Sequence, residues 1–86
     1  MLSVDLVKRV IGNSFNRYFS CRCLVDCVIA EQSGVSLWYV MARKKRYDAK
    51  FEKYRRSMCV KVGYVLKQLE AVGYIEKYNR KVWRVV

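Results

Sequence analysis

Residues 57–86 place the tightest constraint on the fold, because a helical period gives way there to the alternation typical of β-strands. Between 57 and 73, apolar residues recur at the three- and four-residue spacing that puts them on one face of a helix. These residues are Met58, Val62, Val65, Leu66, Leu69 and Val72. Ser57 is a natural N-cap, and Gly73 is a natural C-terminal stop. The sequence therefore predicts a helix over 57–72 with strands directly after it.

Residues 74–86 predict a β-hairpin with a cationic tip. A three-residue loop puts Ile75, Trp83 and Val85 together on the inner face, whereas a two-residue loop leaves both faces mixed. The predicted cross-strand pairs are Tyr78 with Val82, Glu76 with Arg84 and Ile75 with Val85. The tip then consists of Asn79, Arg80 and Lys81. Because no acidic residue lies at this tip, it is suited to an anionic partner.

Two further helices are predicted near the N-terminus. The first covers 3–19, with Ser3 as its cap. Its apolar face consists of Val4, Val7, Val10, Ile11, Phe15 and Tyr18. The second covers 22–33, with Gly34 just past its end. Both patterns are those of helices that cover a core with one side.

Residues 35–56 fit two interpretations. The run "VSLWYVM" has the composition of a strand, but Ser36 is also a natural cap for a helix. We expect a short strand or a tight helix at 36–42, and then a helix near 47–55. Together, these elements predict a single α+β domain over 1–86.

The net charge of +11, from 18 Lys and Arg against 7 Asp and Glu, is the strongest indication of a partner. Charge of this size destabilises a compact domain by self-repulsion unless a polyanion neutralises it. Nucleic acid is the first candidate for that polyanion, and an anionic membrane surface is the second. A basic surface that serves only solubility is the third interpretation.

The composition argues against an enzyme. The chain has no histidine, which removes the commonest general base and the commonest zinc ligand. Its seven acidic residues are scattered and form no carboxylate pair that would support catalysis. We therefore predict no catalytic residues, no cofactor and no small-molecule substrate.

The sequence also argues against a membrane protein. The longest apolar run is 37–42, far shorter than the roughly 18–20 residues of a membrane span. Polar residues such as Asp5 and Lys8 interrupt the N-terminus, where a signal peptide needs an apolar core. We predict a cytoplasmic protein, in the host cell if the chain is viral. The main rival is a membrane-surface or protein-interaction module, with helix 3–19 lying on an anionic bilayer.

Residues 57–86 resemble the third helix and wing of the winged helix-turn-helix family of DNA-binding proteins. The shared pattern is Val-x-x-x-Leu-x-x-Leu-x-x-x-Gly-x-Ile, followed by a basic hairpin with an aromatic residue in its return strand. It is formed here by Val62, Leu66, Leu69, Gly73 and Ile75. Small archaeal and archaeal-virus regulators are the most similar in size and composition. The resemblance implies an α+β fold with N-terminal helices, a recognition helix at 57–72 and a wing at 74–86.

The resemblance also implies a binding site for double-stranded DNA. In that family the helix corresponding to 57–72 enters the major groove, and the hairpin lies over the neighbouring backbone or minor groove. The implied base contacts are Ser57, Lys61, Tyr64 and Gln68. The implied phosphate contacts are Arg55, Arg56 and Lys67, and the wing contacts are Asn79, Arg80 and Lys81. The chain is then a sequence-specific transcriptional regulator, with a non-specific chromatin or replication protein as the alternative.

The spacing before the recognition helix departs from the family pattern. The turn that precedes such a helix is about 3–4 residues long. A preceding helix at 36–44 would leave a far longer connection. A helix at 47–55 restores the spacing and makes 36–41 the small third strand of the sheet, which agrees with the interpretation preferred above.

The four cysteines leave three interpretations open. A zinc site is the first, but Cys21, Cys23, Cys27 and Cys59 do not have a common zinc-binding spacing, and we predict no metal site. Thiols used as small apolar residues are one interpretation. A disulfide is another, expected in an intracellular protein only from a hyperthermophile.

A homodimer is expected, because one winged helix contacts only a short half-site. Helix 3–19 is the candidate interface, since its apolar side includes three aromatic residues close to the basic surface. These are Phe15, Tyr18 and Phe19.

Overall fold

Seven elements of secondary structure occur in residues 2–46 and 48–86, the part of the chain that the computed structural model describes. They are α1 (Val4–Ser14), β1 (Tyr18–Ser20), α2 (Cys21–Ser33), α3 (Leu37–Lys45), α4 (Ala49–Ala71), β2 (Ile75–Lys77) and β3 (Val82–Val85). The architecture is α+β, as the sequence predicts, with helices leading and a hairpin at the end.

Each helix begins at a side chain that accepts a hydrogen bond from the first turn. Ser3, Ser20 and Ser36 cap α1, α2 and α3 through their Oγ atoms, at N···O distances of 3.2–3.3 Å. The carboxylate of Asp48 caps α4 by accepting from two backbone N–H groups, at 3.0 and 3.3 Å. Such caps satisfy donors that have no partner inside the helix.

α4 is one continuous helix of 23 residues, and it corrects the predicted boundary at Ser57. The predicted helices at 47–55 and 57–72 overlap it at 49–55 and 57–71, so Ser57 lies in mid-helix and is not an N-cap. Residue 47 of the first prediction lies outside the described residues. The apolar period runs through this point without a break, because Phe51 and Met58 are seven residues apart and both are buried. With neither Gly nor Pro nearby, nothing in the sequence interrupts the helix there.

α1 is shorter than the predicted helix 3–19. It ends at Ser14, and Tyr18–Ser20 forms β1 instead of a final helical turn. Asn and Ser are weak helix formers, and they occupy the end of α1 and the link to β1. The aromatic residues that follow gain strand hydrogen bonds with β3, and Phe19 becomes buried. Tertiary pairing therefore decides the conformation of this segment.

α3 settles the ambiguous segment as a helix. Ser36 caps it and Val40 is its one buried residue, so the tight helix predicted as one alternative at 36–42 is confirmed and the strand predicted at 36–41 is wrong. β1 is the third strand of the sheet instead. Three residues separate α3 from α4, which is the length expected between the two helices of a helix-turn-helix. The helix that precedes α4 is therefore α3, and not the helix predicted at 47–55.

α2 and the end of α4 agree with the predictions. Gly34 follows α2 with φ of 68°, and Gly73 follows α4 with φ of 81°. Both values lie in the left-handed region that closes a helix and favours glycine. At Gly73 this turn sends the chain directly into the hairpin.

The strands form an antiparallel sheet in the order β1–β3–β2. The hairpin register confirms the predicted three-residue loop. The observed pairs include Ile75 with Val85, Glu76 with Arg84 and, across the other edge of β3, Phe19 with Trp83. The inner face of the sheet therefore carries the predicted apolar side chains.

The core lies where α1, α2 and α4 meet the inner face of the sheet. Its largest fully buried side chains are Ile11, Leu24, Leu66, Leu69 and Ile75. Burial of each contributes roughly 1.5–3 kcal/mol to folding. In the described part of the chain, no helix has the length and apolar character to cross a membrane.

Candidate nucleic-acid interface

A buried acid, Asp26, fixes the middle of α2 against α3 and α4. Its side chain is only 6% exposed. Oδ2 accepts a hydrogen bond from Nζ of Lys44, and Oδ1 accepts one from Nε of Arg55, both at 2.9 Å. A buried carboxylate requires such partners, because the cost of its desolvation is otherwise not offset. The ion pairs hold three helices in register around the candidate site.

The outward face of α4 is long, basic and aromatic. At 1.5 Å per residue, its 23 residues extend about 34 Å, close to the longest dimension of the molecule, 36 Å. Exposed residues recur on one side at three- and four-residue spacing: Lys50, Lys53, Ser57, Lys61, Tyr64 and Gln68. None of them is acidic, and Tyr64 is 65% exposed.

The hairpin tip is a preformed cationic turn. Oδ1 of Asn79 accepts hydrogen bonds from the backbone N–H groups of Lys81 and Val82, at 2.9 and 3.0 Å. This local bonding is why Asn suits the position. The side chains of Arg80 and Lys81 in this turn are exposed.

A groove runs between α4, the start of α2 and the hairpin. It consists of two adjoining cavities of about 400 and 410 Å³, which share Cys21, Lys77 and Trp83. We call it the α4–hairpin groove and define it by its lining residues. These are Ser20, Cys21, Arg22, Gly63, Leu66, Lys67, Glu70, Lys77, Arg80, Lys81 and Trp83. Five of them are cations and one is an acid.

Lys77 reaches this groove because of its position in β2. It lies two residues from the buried Ile75, so both side chains leave the strand on the same face. Its Nζ sits 4.3 Å from the centre of the Trp83 ring, within the range of a cation–π contact. The ring thereby holds the ammonium group at the rim of the groove.

The acidic residues are mostly neutralised elsewhere. Four of the seven pair with cations outside the groove: Asp26 with Lys44 and Arg55, Glu31 with Arg9, Asp48 with Arg43, and Glu76 with Arg84. Within residues 2–46 and 48–86, none of these ion pairs involves a groove cation. These four acids therefore leave the five groove cations without neutralisation.

Nine of the ten residues that the resemblance assigns to DNA binding are exposed. They are Arg56, Ser57, Lys61, Tyr64, Lys67, Gln68, Asn79, Arg80 and Lys81. Lys67, Arg80 and Lys81 line the groove. Arg55 differs, because its side chain is only 16% exposed and its Nε donates to Asp26. Its guanidinium group is engaged within the protein.

Two groove cations were missed by the sequence analysis. Arg22 lies in the first turn of α2, and only the antiparallel pairing of β1 with β3 brings that turn beside the hairpin. Lys77 could have been found from the sequence, because it lies two residues after Ile75 and therefore on the same, inner face of the hairpin. Arg22 has no comparable signal in the sequence.

The cysteines are free thiols. Cys21, Cys27 and Cys59 are partly buried, whereas Cys23 is exposed. Burial raises the pKa of the Cys21 and Cys27 thiols, so both stay protonated at neutral pH. In the described residues, no group of three or more Cys, Asp or Glu side chains could hold a metal ion.

Comparisons with known proteins return no family model, no curated protein and no solved structure that matches this chain.

Proposed function

We propose that this chain is a sequence-specific, double-stranded DNA-binding transcriptional regulator of the winged helix-turn-helix type. The observation that carries the proposal is the α4–hairpin groove, which brings five cations from three elements together with a single acid. A polyanion with regularly spaced charges is the ligand that such a surface suits.

α4 is the element proposed to enter the major groove. An α-helix with its side chains is about 10–12 Å wide, and the major groove of B-DNA is about 12 Å wide. The exposed Lys61, Tyr64 and Gln68 lie along one side of α4. Gln68 offers a bidentate contact to adenine, and Lys61 a donor to the acceptors of guanine.

The hairpin and the start of α2 are proposed to hold the sugar–phosphate backbone beside α4. Arg22, Lys67, Lys77, Arg80 and Lys81 supply the positive charge. Contacts of this type fix the position of a protein on the duplex but carry no sequence information. Arg55 has no phosphate contact in this proposal, because it already binds Asp26.

The layout supports a winged helix. A hairpin directly follows the longest helix, a small antiparallel sheet packs on the helices, and a connection of helix-turn-helix length precedes α4. We also propose that the protein acts in the cytoplasm and as a homodimer, which doubles the length of the DNA site.

Binding of a labelled duplex, followed by fluorescence anisotropy, tests the proposal. Lys77→Ala and Arg80→Ala should each weaken binding about three- to tenfold at 0.1 M salt, the contribution of one phosphate contact. Arg9→Ala is the matched control, because it removes one exposed charge on α1 outside the groove. If all three variants weaken binding equally, the loss of affinity comes from the lower net charge alone, which would contradict the proposed site. Equal affinity of the wild type for all sequences would instead indicate a non-specific chromatin or replication protein.

A further inference from the structure

A hollow of about 870 Å³ lies between the end of α1, α2 and α3. Three of the residues that line it carry sulfur, namely Cys23, Cys27 and Met41. None of the three lines the α4–hairpin groove. Cys23 is exposed, so packing in the core does not account for it, and reactivity usually decides the role of such a thiol. The hollow therefore holds sulfur donors that the proposed function does not use.

The two thiols lie in one row on α2. The residues of this helix that line the hollow recur at three- and four-residue spacing, which defines one helix face: Cys23, Asp26, Cys27, Ala30 and Glu31. Cys23 and Cys27 are four residues apart in the helix, so their Cβ atoms are about 5–6 Å apart. A disulfide requires about 3.5–4.5 Å between Cβ atoms, so the pair cannot form one while α2 stays helical. An ion bound between the two sulfur atoms suits this separation.

α3 brings a third sulfur atom to the same row. Nζ of Lys44 donates to Oδ2 of Asp26 at 2.9 Å, and Asp26 directly precedes Cys27 in α2. Met41 lies about one helical turn before Lys44, and both residues line the hollow. The hydrogen bond therefore fixes α3, and with it Met41, alongside α2 at the level of the thiols. The thioether of Met is a soft ligand on a flexible side chain.

This donor set suits a soft ion and not zinc. A structural zinc site needs four ligands, and in the part of the chain that the structure describes no group of three or more Cys, Asp or Glu side chains could hold a metal ion. Both acids that line the hollow already bind cations, Asp26 to Lys44 and Arg55, and Glu31 to Arg9. The available ligands are therefore sulfur atoms, and thiolate with thioether ligands select Cu(I).

We infer that Cys23, Cys27 and Met41 form a Cu(I) site. The two thiols each release a proton to solvent as their sulfur atoms coordinate the ion, and the Met41 thioether supplies the third ligand. Copper stays Cu(I) throughout, so no oxidant or reductant takes part. The complex of one Cu(I) ion with two thiolates carries a single negative charge, which Arg22 in the wall of the hollow offsets. This site differs from the predicted absence of a metal, which rested on the ligand spacing typical of zinc.

Anaerobic titration of the reduced protein with Cu(I), in competition with the chelator bicinchoninate and without DNA, tests the inference. The wild type should bind one Cu(I) ion per chain. Cys23→Ser and Cys27→Ser should each lower the affinity more than about 100-fold, beyond the roughly 10–100-fold typical of losing a partner outside the coordination shell. Met41→Leu should lower it about tenfold, because a thioether is a weaker ligand than a thiolate. Cys59→Ser is the matched control and should leave the affinity unchanged, since Cys59 is a half-buried thiol of α4 that does not line the hollow.

X-ray absorption of the loaded protein should show copper bound by sulfur alone. Because Cys23 is exposed, Cys23→Ser should keep the fold and carries the test even if Cys27→Ser does not fold. Equal affinity of the wild type and a folded Cys23→Ser variant would indicate an adventitious ion only and overturn the inference. One ion per two chains, or the same loss in Cys59→Ser, would also overturn it, and an unchanged affinity in Met41→Leu would contradict the three-sulfur site. Failure to bind DNA, with Cu(I) bound as expected, would contradict the proposed function alone.

Discussion

Asp26 links the three helices that lie behind the proposed DNA-binding surface. It is a buried carboxylate that binds a cation from α3 and another from α4. Removing one member of such a network leaves buried charge without a partner, which costs more than the network contributes as a whole.

Asp26→Ala should therefore lower the free energy of unfolding by about 3 kcal/mol, the lower end for a broken buried ion pair, since Lys44 and Arg55 retain some access to water. Urea unfolding measures the change. Glu31→Ala is the matched control, because its ion pair with Arg9 is exposed and should contribute about 0–1 kcal/mol. Equal losses in the two variants would show that Asp26 does not have this role.

Asp48 gives the fold a dependence on pH. The hydrogen bond from Arg43 lowers the pKa of its carboxyl group below the usual value, with a further contribution from the N–H groups at the start of α4. A lowered pKa in the folded state means that ionised Asp48 stabilises the fold above the pKa of the unfolded chain. This stabilisation is lost as the pH falls through the folded value.

Asp48→Asn isolates this effect, because Asn keeps the cap acceptor and removes the charge. Thermal melts should show a lower Tm for the variant at pH 7 and a difference that shrinks as the pH falls toward 2. A difference that persists unchanged to pH 2 would rule out the ionised carboxylate as its source.

At the scale of elements, variants on α4 should distinguish residues that contact bases from residues that contact phosphates. Gln68 lies on its outward face, one turn beyond Tyr64, so Gln68→Ala should cost roughly 1–3 kcal/mol on a selected DNA site and little on random DNA. The neighbouring Lys67 lines the groove, and Lys67→Ala should weaken both complexes alike. If Gln68→Ala weakens all sequences equally while its Tm is unchanged, α4 makes no base contact.

The elements that the sequence predicts well are those determined by local signals. The hairpin register follows from alternation, and Gly73 marks the end of α4. β1 was missed because three residues carry no period of their own and become a strand only against β3. α3 was ambiguous because β-prone aromatic residues follow a good helix cap, and the segment forms the capped helix with Val40 buried.

The candidate site was predictable to the same extent. Residues on the exposed side of one helix, such as Lys61, Tyr64 and Gln68, follow from its period, and all three are exposed. Arg22 could not be assigned, because a strand pairing brings it into the groove. Arg55 was assigned to phosphate, but a buried acid from another helix binds its guanidinium group, which the sequence alone does not indicate.

At the scale of the whole molecule, the central claim is that a net charge of +11 serves to bind a duplex between α4 and the hairpin. The groove holds five cations from α2, α4 and the hairpin, while most of the acidic residues pair elsewhere. Contacts of this kind release counterions from DNA, so the affinity must depend steeply on salt.

The salt dependence of duplex binding, compared between the wild type and the double variant Lys77→Ala/Arg80→Ala, tests this claim most directly. With about five phosphates neutralised, the slope of log affinity against log salt should be about −4.5 for the wild type and about −2.7 for the variant, which loses two contacts. The free energies of unfolding of the two proteins should differ by no more than about 0.5–1 kcal/mol, the contribution of the cation–π contact between Lys77 and Trp83. A wild-type slope near zero, or the same slope in both proteins, would contradict the account.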